Sequence, residues 1–169
     1  GALMDIVPGW HPVVVHFPLA LIVTAALALS LARVLRGESA GTLAVVGTWN
    51  LCLGAVTVFV ALSTGLAAVI GLHVDSAARQ AISVHVKSAM VTTLLVTLIA
   101  VWRGAGTAAN SRPSWFFVLM LWIATSALIV TGYRGGQNVY RHGIGVALHA
   151  ATAGHETSAR VVPGGRAHP

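Results

Sequence analysis

Four long apolar stretches constrain the fold of this chain more than any other feature. They cover residues 12–35, 43–72, 81–102 and 114–133. A helix of about 20 apolar residues crosses the roughly 30 Å of hydrocarbon in a bilayer. Only 8% of the 169 residues are charged, against roughly 25% in a typical soluble domain. The sequence therefore predicts an integral membrane protein embedded in the lipid bilayer.

The connections between these stretches are short, so neighbouring helices should pack antiparallel in an up-down bundle. We predict an all-α fold, with a single four-helix transmembrane domain over residues 1–153 and a flexible tail over residues 154–169. After Tyr133 the composition changes to glycine, histidine and arginine, and residues 138–153 are expected to form a short interfacial helix. Tryptophans lie near the expected span ends, as is typical of membrane interfaces: Trp10, Trp102 and Trp115.

The two ends of the bundle differ in their loops. Side B carries the first and third loops, and side A carries both termini and the second loop. Because basic residues near short loops favour the cytoplasm, a slight excess on side B places the termini on the non-cytoplasmic side. Side B carries Arg33, Arg36, Arg103 and Arg112, whereas side A carries Arg79, Arg134 and Arg141 close to the membrane and Lys87 just inside the span.

All eight histidines lie on side A or on the adjoining helix turns. His16 lies 17 positions before Arg33, and His85 lies 18 positions before Arg103. Both imidazoles should therefore lie roughly 26 Å from the side B arginines, at one level on parallel helices. Ionisable groups inside spans usually mark function. The pattern predicts that His16 and His85 ligate one haem iron between the first and third spans.

The neighbours of these histidines support a flat cofactor. Spacings of three and four place small residues on the face of each histidine, and these are Ala20, Thr24, Ala28, Ala81, Ser88, Ala89 and Thr92. Thr24, Ser88 or Thr92 could orient the imidazoles by hydrogen bonding. The second span carries a further small-residue stripe, which favours close approach of another helix or of the cofactor: Gly54, Ala61, Gly65, Ala68 and Gly71.

Other interpretations of the polar residues stay open. The histidines could bind another metal, or could contact headgroups and backbone carbonyls in a structural role. Pro18 favours a helix break around His16, which would turn His11 inward; a second haem would then use His11 with His142 or His149. On side A the cations could pair with haem propionates or with lipid headgroups: Lys87, Arg134 and Arg141.

Two motifs resemble a bacterial membrane-domain family of unknown function. Residues 11–21 read HPVVVHFPLAL and resemble its HPxxVHFPxAL opening, and residues 139–146 read VYRHGIGV and resemble its VYRHGxGV ending. The resemblance covers positions 11 to 146 and implies four helices in a bacterial inner (cytoplasmic) membrane. Relatives fused to or beside Rieske iron–sulfur and cytochrome c domains imply electron transfer. The matching residues are His11, His16, Phe17, Pro18, Tyr140, Arg141 and Gly143.

These observations together predict a membrane-embedded, b-type cytochrome-like electron-transfer subunit of a larger redox complex. It would carry one haem b, or two if the second site is used. Expected partners are separate subunits, such as a cytochrome c or an iron–sulfur protein, and quinone; no enzyme activity is expected of the chain alone. The alternative is a cofactor-free membrane anchor or assembly subunit. The spans lack the acidic residues typical of cation paths, and no basic stripe indicates nucleic-acid binding.

Overall fold

The computed structural model describes residues 7–70, 74–106 and 108–142. Within these ranges the chain forms helices and no strand. The helices are α1 (Val7–Val14), α2 (His16–Val34), α3 (Glu38–Val69), α4 (Ser76–Gly106) and α5 (Trp115–His142). Four segments are long and apolar enough to cross a membrane: Trp10–Val34, Glu38–Val69, Ser76–Gly106 and Trp115–Arg141. The all-α prediction with four spans is confirmed, and α1 and α2 share the first span.

The last helix is longer than the sequence indicated. α5 does not end near residue 133 but continues to His142, so residues 138–142 continue α5 and do not begin a separate helix. Contacts with α4 reach into this added length, because Arg134 donates to the Ser88 hydroxyl and Gly135 packs against His85. The expected interfacial helix beyond residue 142 and the expected tail lie outside the described residues.

Hydrogen bonds between helices show the up-down topology. Near the start of α5, the Trp122 indole donates to Ser30 near the end of α2, with 3.0 Å between Nε1 and Oγ. Near the end of α4, Arg103 Nε donates to Thr48 Oγ1 in the first part of α3 at 3.0 Å. The described helices α2, α3, α4 and α5 pack in a ring, in which α2 and α4 are diagonal partners without direct backbone contact.

Close backbone approach joins α2 to α3. A Cβ atom added to Gly47 would lie 2.6 Å from Leu29 Cγ and 3.2 Å from the Leu29 backbone nitrogen. A Cβ added to Gly54 would lie 2.5 Å from Ile22 Cδ1. Moving a leucine from lipid into a helix contact gains little free energy, because lipid tails are as apolar as leucine. Close van der Waals packing of this kind therefore stabilises helix association in membranes. The predicted role of the glycine stripe in packing is therefore confirmed at Gly54.

The helical hydrogen bonding of the first span is interrupted near Val15, close to the break that the sequence predicted around His16, but Val15 keeps helical backbone angles. Pro18 has no backbone N–H, so the carbonyl of Val14 lacks its usual helical donor four residues later. The chain makes a turn at Val15, whose N–H donates to the carbonyl of His11 at 3.1 Å. α1 then packs against α3 as well as α2, and His11 is half-buried as expected.

Two arginines connect helices and loops by hydrogen bonds at the side B end of the bundle. Arg103 is 3% exposed; its Nη2 donates to the carbonyls of Ala109 and Ser111 at 3.1 and 2.7 Å, in addition to the bond to Thr48. Arg112 Nη2 donates to the carbonyls of Arg33 and Leu35 at 2.6 and 3.0 Å. The guanidinium of Arg112 therefore lies against the carbonyl end of α2, where the helix dipole favours a positive charge.

Gly47→Ala tests the close approach of α2 and α3. The added methyl group must displace both the side chain and the backbone of Leu29, so the free energy of unfolding should fall by about 1–2 kcal/mol. Thermal unfolding of the detergent-solubilised protein measures this change. Gly104→Ala is the matched control, because nothing lies within 4 Å of a Cβ at that helical glycine. Equal effects of the two substitutions would contradict the packing argument.

Arg103→Ala tests the buried arginine. Removal of the guanidinium leaves the Ala109 and Ser111 carbonyls without this donor, and the free energy of unfolding should fall by about 2–3 kcal/mol. Arg36→Ala removes an exposed side B arginine and should change stability little. A similar small effect at both positions, in the same unfolding assay, would show that Arg103 does not hold the loop.

Candidate functional site

The bend at Val15 directs His11 against α3. Its Nδ1 lies 3.1 Å from the Thr64 hydroxyl oxygen, and the ring packs on Gly65, where a Cβ would lie 2.8 Å from His11 Cε1. Only glycine leaves room for the imidazole at this depth. Thr64 and Gly65 therefore position the His11 ring at the side A end of the bundle.

The hydrogen bonds around Thr64 fit one tautomer of His11 well. The Thr64 hydroxyl oxygen lies 3.0 Å from the carbonyl oxygens of Val60 and Ala61, and when it donates to either carbonyl it accepts from His11. In that tautomer the imidazole carries its proton on Nδ1, and Nε2 keeps a lone pair. A nitrogen of this kind can accept a hydrogen bond or ligate a metal.

His85 on α4 lies against α5 in a corresponding way. A Cβ added to Gly135 would lie 3.0 Å from His85 Cε1, and the backbone carbonyl of Thr131 interacts with the ring. The Thr131 hydroxyl pairs with Thr92 across the buried α4–α5 contact, with 2.9 Å between the oxygens. Thr92, which the sequence indicated as an orienting residue, therefore acts on the residue whose carbonyl contacts His85.

One nitrogen of His85 has an unusual environment. Among the described residues, His85 Nδ1 is the one buried side-chain nitrogen or oxygen without a hydrogen-bond partner. Leaving a buried polar atom unsatisfied costs about 1–3 kcal/mol, and such groups are rare in native proteins. No described side chain supplies a partner to this atom, and the protein group that interacts with the ring is the Thr131 carbonyl.

His85 and His11 interact electrostatically at the side A end of the bundle. His85 interacts in this way with His11 and with Arg134, and α1 and α4, which carry the two histidines, both pack against α3. We call His11 and His85 the histidine pair. One member lies on the first span and the other on the third.

His16, the other predicted ligand, lies elsewhere. Its side chain is exposed and makes no hydrogen bond with a described residue. Of the three small residues expected on its face, Ala20 and Thr24 are exposed as well, whereas Ala28 is buried. The depth of His16 agrees with that of His85, but its helix face does not, because the buried face of α2 is formed by Pro18, Ile22 and other residues.

The three candidate propionate partners take different positions. Arg134 is exposed, bonds to Ser88 and interacts with His85, so it lies beside the histidine pair. Lys87 follows His85 by two residues, about 200° around the helix, and is exposed on the opposite face. Arg141 is exposed near the end of α5. Only the backbone of His142 is described, and His149 lies outside the described residues.

Several residues that contact the histidine pair were not predicted from the sequence. Thr64, Thr131 and Gly135 contact the histidine pair, yet none was singled out as a site residue. Gly65 belonged to the recognised small-residue stripe, and Thr64 directly precedes it. The sequence signal for this contact is a hydroxyl residue directly beside a helical glycine of that stripe. The described residues contain no group of three or more histidine, cysteine, aspartate or glutamate side chains placed to hold a metal ion.

Four apolar spans and a polar pair at one end define a multi-pass membrane protein. Comparison with protein families agrees: the model of the family described as Predicted membrane protein (DUF2231) matches residues 8–148. The chain belongs to this family. No curated protein matches the chain, and no solved structure matches it.

Paired cysteines test the proximity of His11 and His85. In a Cys52→Ser background, His11→Cys with His85→Cys should be joined within one chain by a short bifunctional thiol reagent, because both side chains face the same interior region. Mass spectrometry of digested protein detects the product. The matched pair His16→Cys with His85→Cys should remain unjoined. Efficient joining of the second pair and not the first would refute the placement of His11.

Proposed function

We propose that the chain is a membrane-embedded, b-type cytochrome-like electron-transfer subunit of a larger redox complex, with one haem b held at the histidine pair. The supporting observation is that His11 and His85, on two different spans, each pack against a glycine of a neighbouring helix and interact electrostatically with each other. His85 Nδ1, which has no hydrogen-bond partner among the described residues, would be the nitrogen that ligates the iron. This assignment keeps His85 from the sequence prediction and replaces His16 by His11.

The donor set suits haem iron. Two neutral imidazoles are a common axial pair, and the porphyrin supplies the remaining nitrogens. A zinc ion would require three or four protein ligands, more than the histidine pair offers. When bound, a haem with two axial histidines supplies reversible one-electron chemistry at iron, with no open position for a substrate. The protein contributes ring orientation, burial and charge.

The surroundings of the histidine pair would orient both rings. Thr64 holds Nδ1 of His11, which leaves Nε2 for the iron. The Thr131 carbonyl interacts with His85. Partners of this kind fix the orientation of ligating histidines and raise their basicity. Arg134, beside His85, is the cation best placed to pair with a propionate; Lys87, on the opposite face of α4, is not.

The position of the pair determines where electrons would pass. Both histidines lie near side A, so we propose electron exchange with a partner at that surface, either a cytochrome c or iron–sulfur subunit or a quinone at the same depth. Because His11 serves the first haem, the proposal is one haem per chain. We further propose the bacterial cytoplasmic membrane as its location, with the termini on the non-cytoplasmic side.

Haem content of purified variants tests the proposal. The wild-type protein in detergent should show a b-type reduced-minus-oxidised spectrum, with about one haem per chain by the pyridine haemochrome assay. His11→Ala and His85→Ala should each lose the haem while inserting normally, because each removes one axial ligand. His16→Ala is the matched control and should keep it. Membrane fractionation and helix content by circular dichroism verify that each variant is intact.

Other outcomes are equally informative. Loss of haem in His16→Ala, with retention in His11→Ala, would restore the ligand pair that the sequence predicted. An intact wild-type protein that is colourless and metal-free after gentle purification and after haem supplementation would refute the cytochrome assignment. The chain would then be better explained as a cofactor-free anchor or assembly subunit.

A further inference from the structure

A polar stripe occupies the outward face of the first turns of α4. It forms a shallow groove of about 590 Å³, lined by Ser76, Arg79, Gln80, Ser83, Val84 and Lys87. All six side chains are exposed. They lie opposite the face that α4 buries in the bundle through Ala78 and Ile82. The groove is thus separate from the histidine pair and faces away from the bundle.

The groove runs from headgroup level into the hydrocarbon region. Lys87 lies 16 positions before Arg103, or about 24 Å along the helix from side B, within the roughly 30 Å of hydrocarbon, whereas Arg79 lies 24 positions before Arg103, or about 36 Å from side B. Because Thr48 pairs with Arg103 in antiparallel helices, Ile70 of α3 lies about level with the middle of the groove. Ile70 is 83% exposed, so α3 presents an apolar surface where α4 presents a polar one.

The charge around the groove is positive. Exposed cations at this end of α4 and α5 are Arg79, Lys87, Arg134 and Arg141. Asp75 is the one acidic residue described at this end, and its carboxylate accepts the Ala78 N–H at 2.7 Å to cap α4. An occupant of the groove should therefore carry negative charge.

Below the groove the same face of α4 becomes apolar. Met90, Val91, Leu94 and Leu98 are exposed there. One helix face thus offers a cationic site above an apolar strip, in the direction of the membrane normal. The Cα–Cβ bond of Lys87 tilts towards the helix N-terminus on side A, so its ammonium group can extend to headgroup level while its methylenes stay in hydrocarbon.

We infer that this groove binds an anionic phospholipid, with the phosphate against Arg79 and Lys87 and the acyl chains along the apolar strip. Cations at a membrane surface attract anionic headgroups, and the apolar strip distinguishes a lipid from a soluble phosphate. The acidic surface of a partner protein would match the cations but would not require an apolar strip at hydrocarbon depth. The inference does not depend on a bound cofactor.

Native mass spectrometry of delipidated protein tests the site. Phosphatidylglycerol and phosphatidylcholine with identical acyl chains are titrated separately, and the wild-type protein should bind the anionic lipid more tightly. The double variant Arg79→Gln, Lys87→Gln should lose roughly tenfold in phosphatidylglycerol affinity and little in phosphatidylcholine affinity. Arg36→Gln, at an exposed arginine on side B, should behave like the wild-type protein. All three proteins should keep the same helix content and elution volume.

A competition experiment distinguishes a lipid phosphate from a soluble phosphate. Glycerol 3-phosphate and inorganic phosphate at millimolar concentration should not displace the lipid. Displacement by either would overturn the inference in favour of a soluble anion site. Equal losses in the double variant and in Arg36→Gln would show a general charge effect and would also overturn it. Unchanged lipid selectivity in the double variant would also overturn the inference. An acidic surface of a partner chain would then be the better occupant of this face.

Discussion

The contact of α2 with α3 through Gly47 and Gly54 is the constraint on which the bundle depends. Membrane helices gain little from exchanging lipid for leucine, so they need surfaces that meet without gaps. The two glycines let the Leu29 and Ile22 side chains reach the α3 backbone. The ring of helices is completed by α4 and α5, and hydrogen bonds at Ser30, Thr48 and Thr92 fix their relative heights.

Within this ring, helical phase places His11 inward and His16 outward. The missing N–H of Pro18 separates α1 from α2, and the eight residues of α1 pack on α3. His11 and His16 are five positions apart, about 140° on a continuous helix, and Val15 between them keeps helical backbone angles. The two residues therefore have different surroundings: His11 contacts Thr64 and Gly65, whereas His16 remains exposed.

Hydropathy predicted the four spans because the bilayer imposes one minimum length on every crossing helix. The interruption near His16 followed from Pro18, and the small-residue stripe followed from spacing. The inward face predicted for His16 was wrong, because small residues such as Ala20 and Thr24 occur on a lipid-facing surface as well as beside a cofactor. The burial of Arg103 could not be predicted from the sequence either, because its partners include Thr48, which is 55 positions away. Because Arg103 and Arg112 fasten loops and helix ends, their number on side B is a weaker guide to orientation than a simple count suggests.

Arg103 has a consequence for biogenesis. A guanidinium near the membrane boundary is costly until its donors are satisfied, and its acceptors come from α3 and from the segment that precedes α5. Before these segments pack, the long side chain of Arg103 can extend to the aqueous boundary. Its burial therefore belongs to the packing of the helices and not to the insertion of α4, and it sets the height of α4 against α3 and the loop before α5.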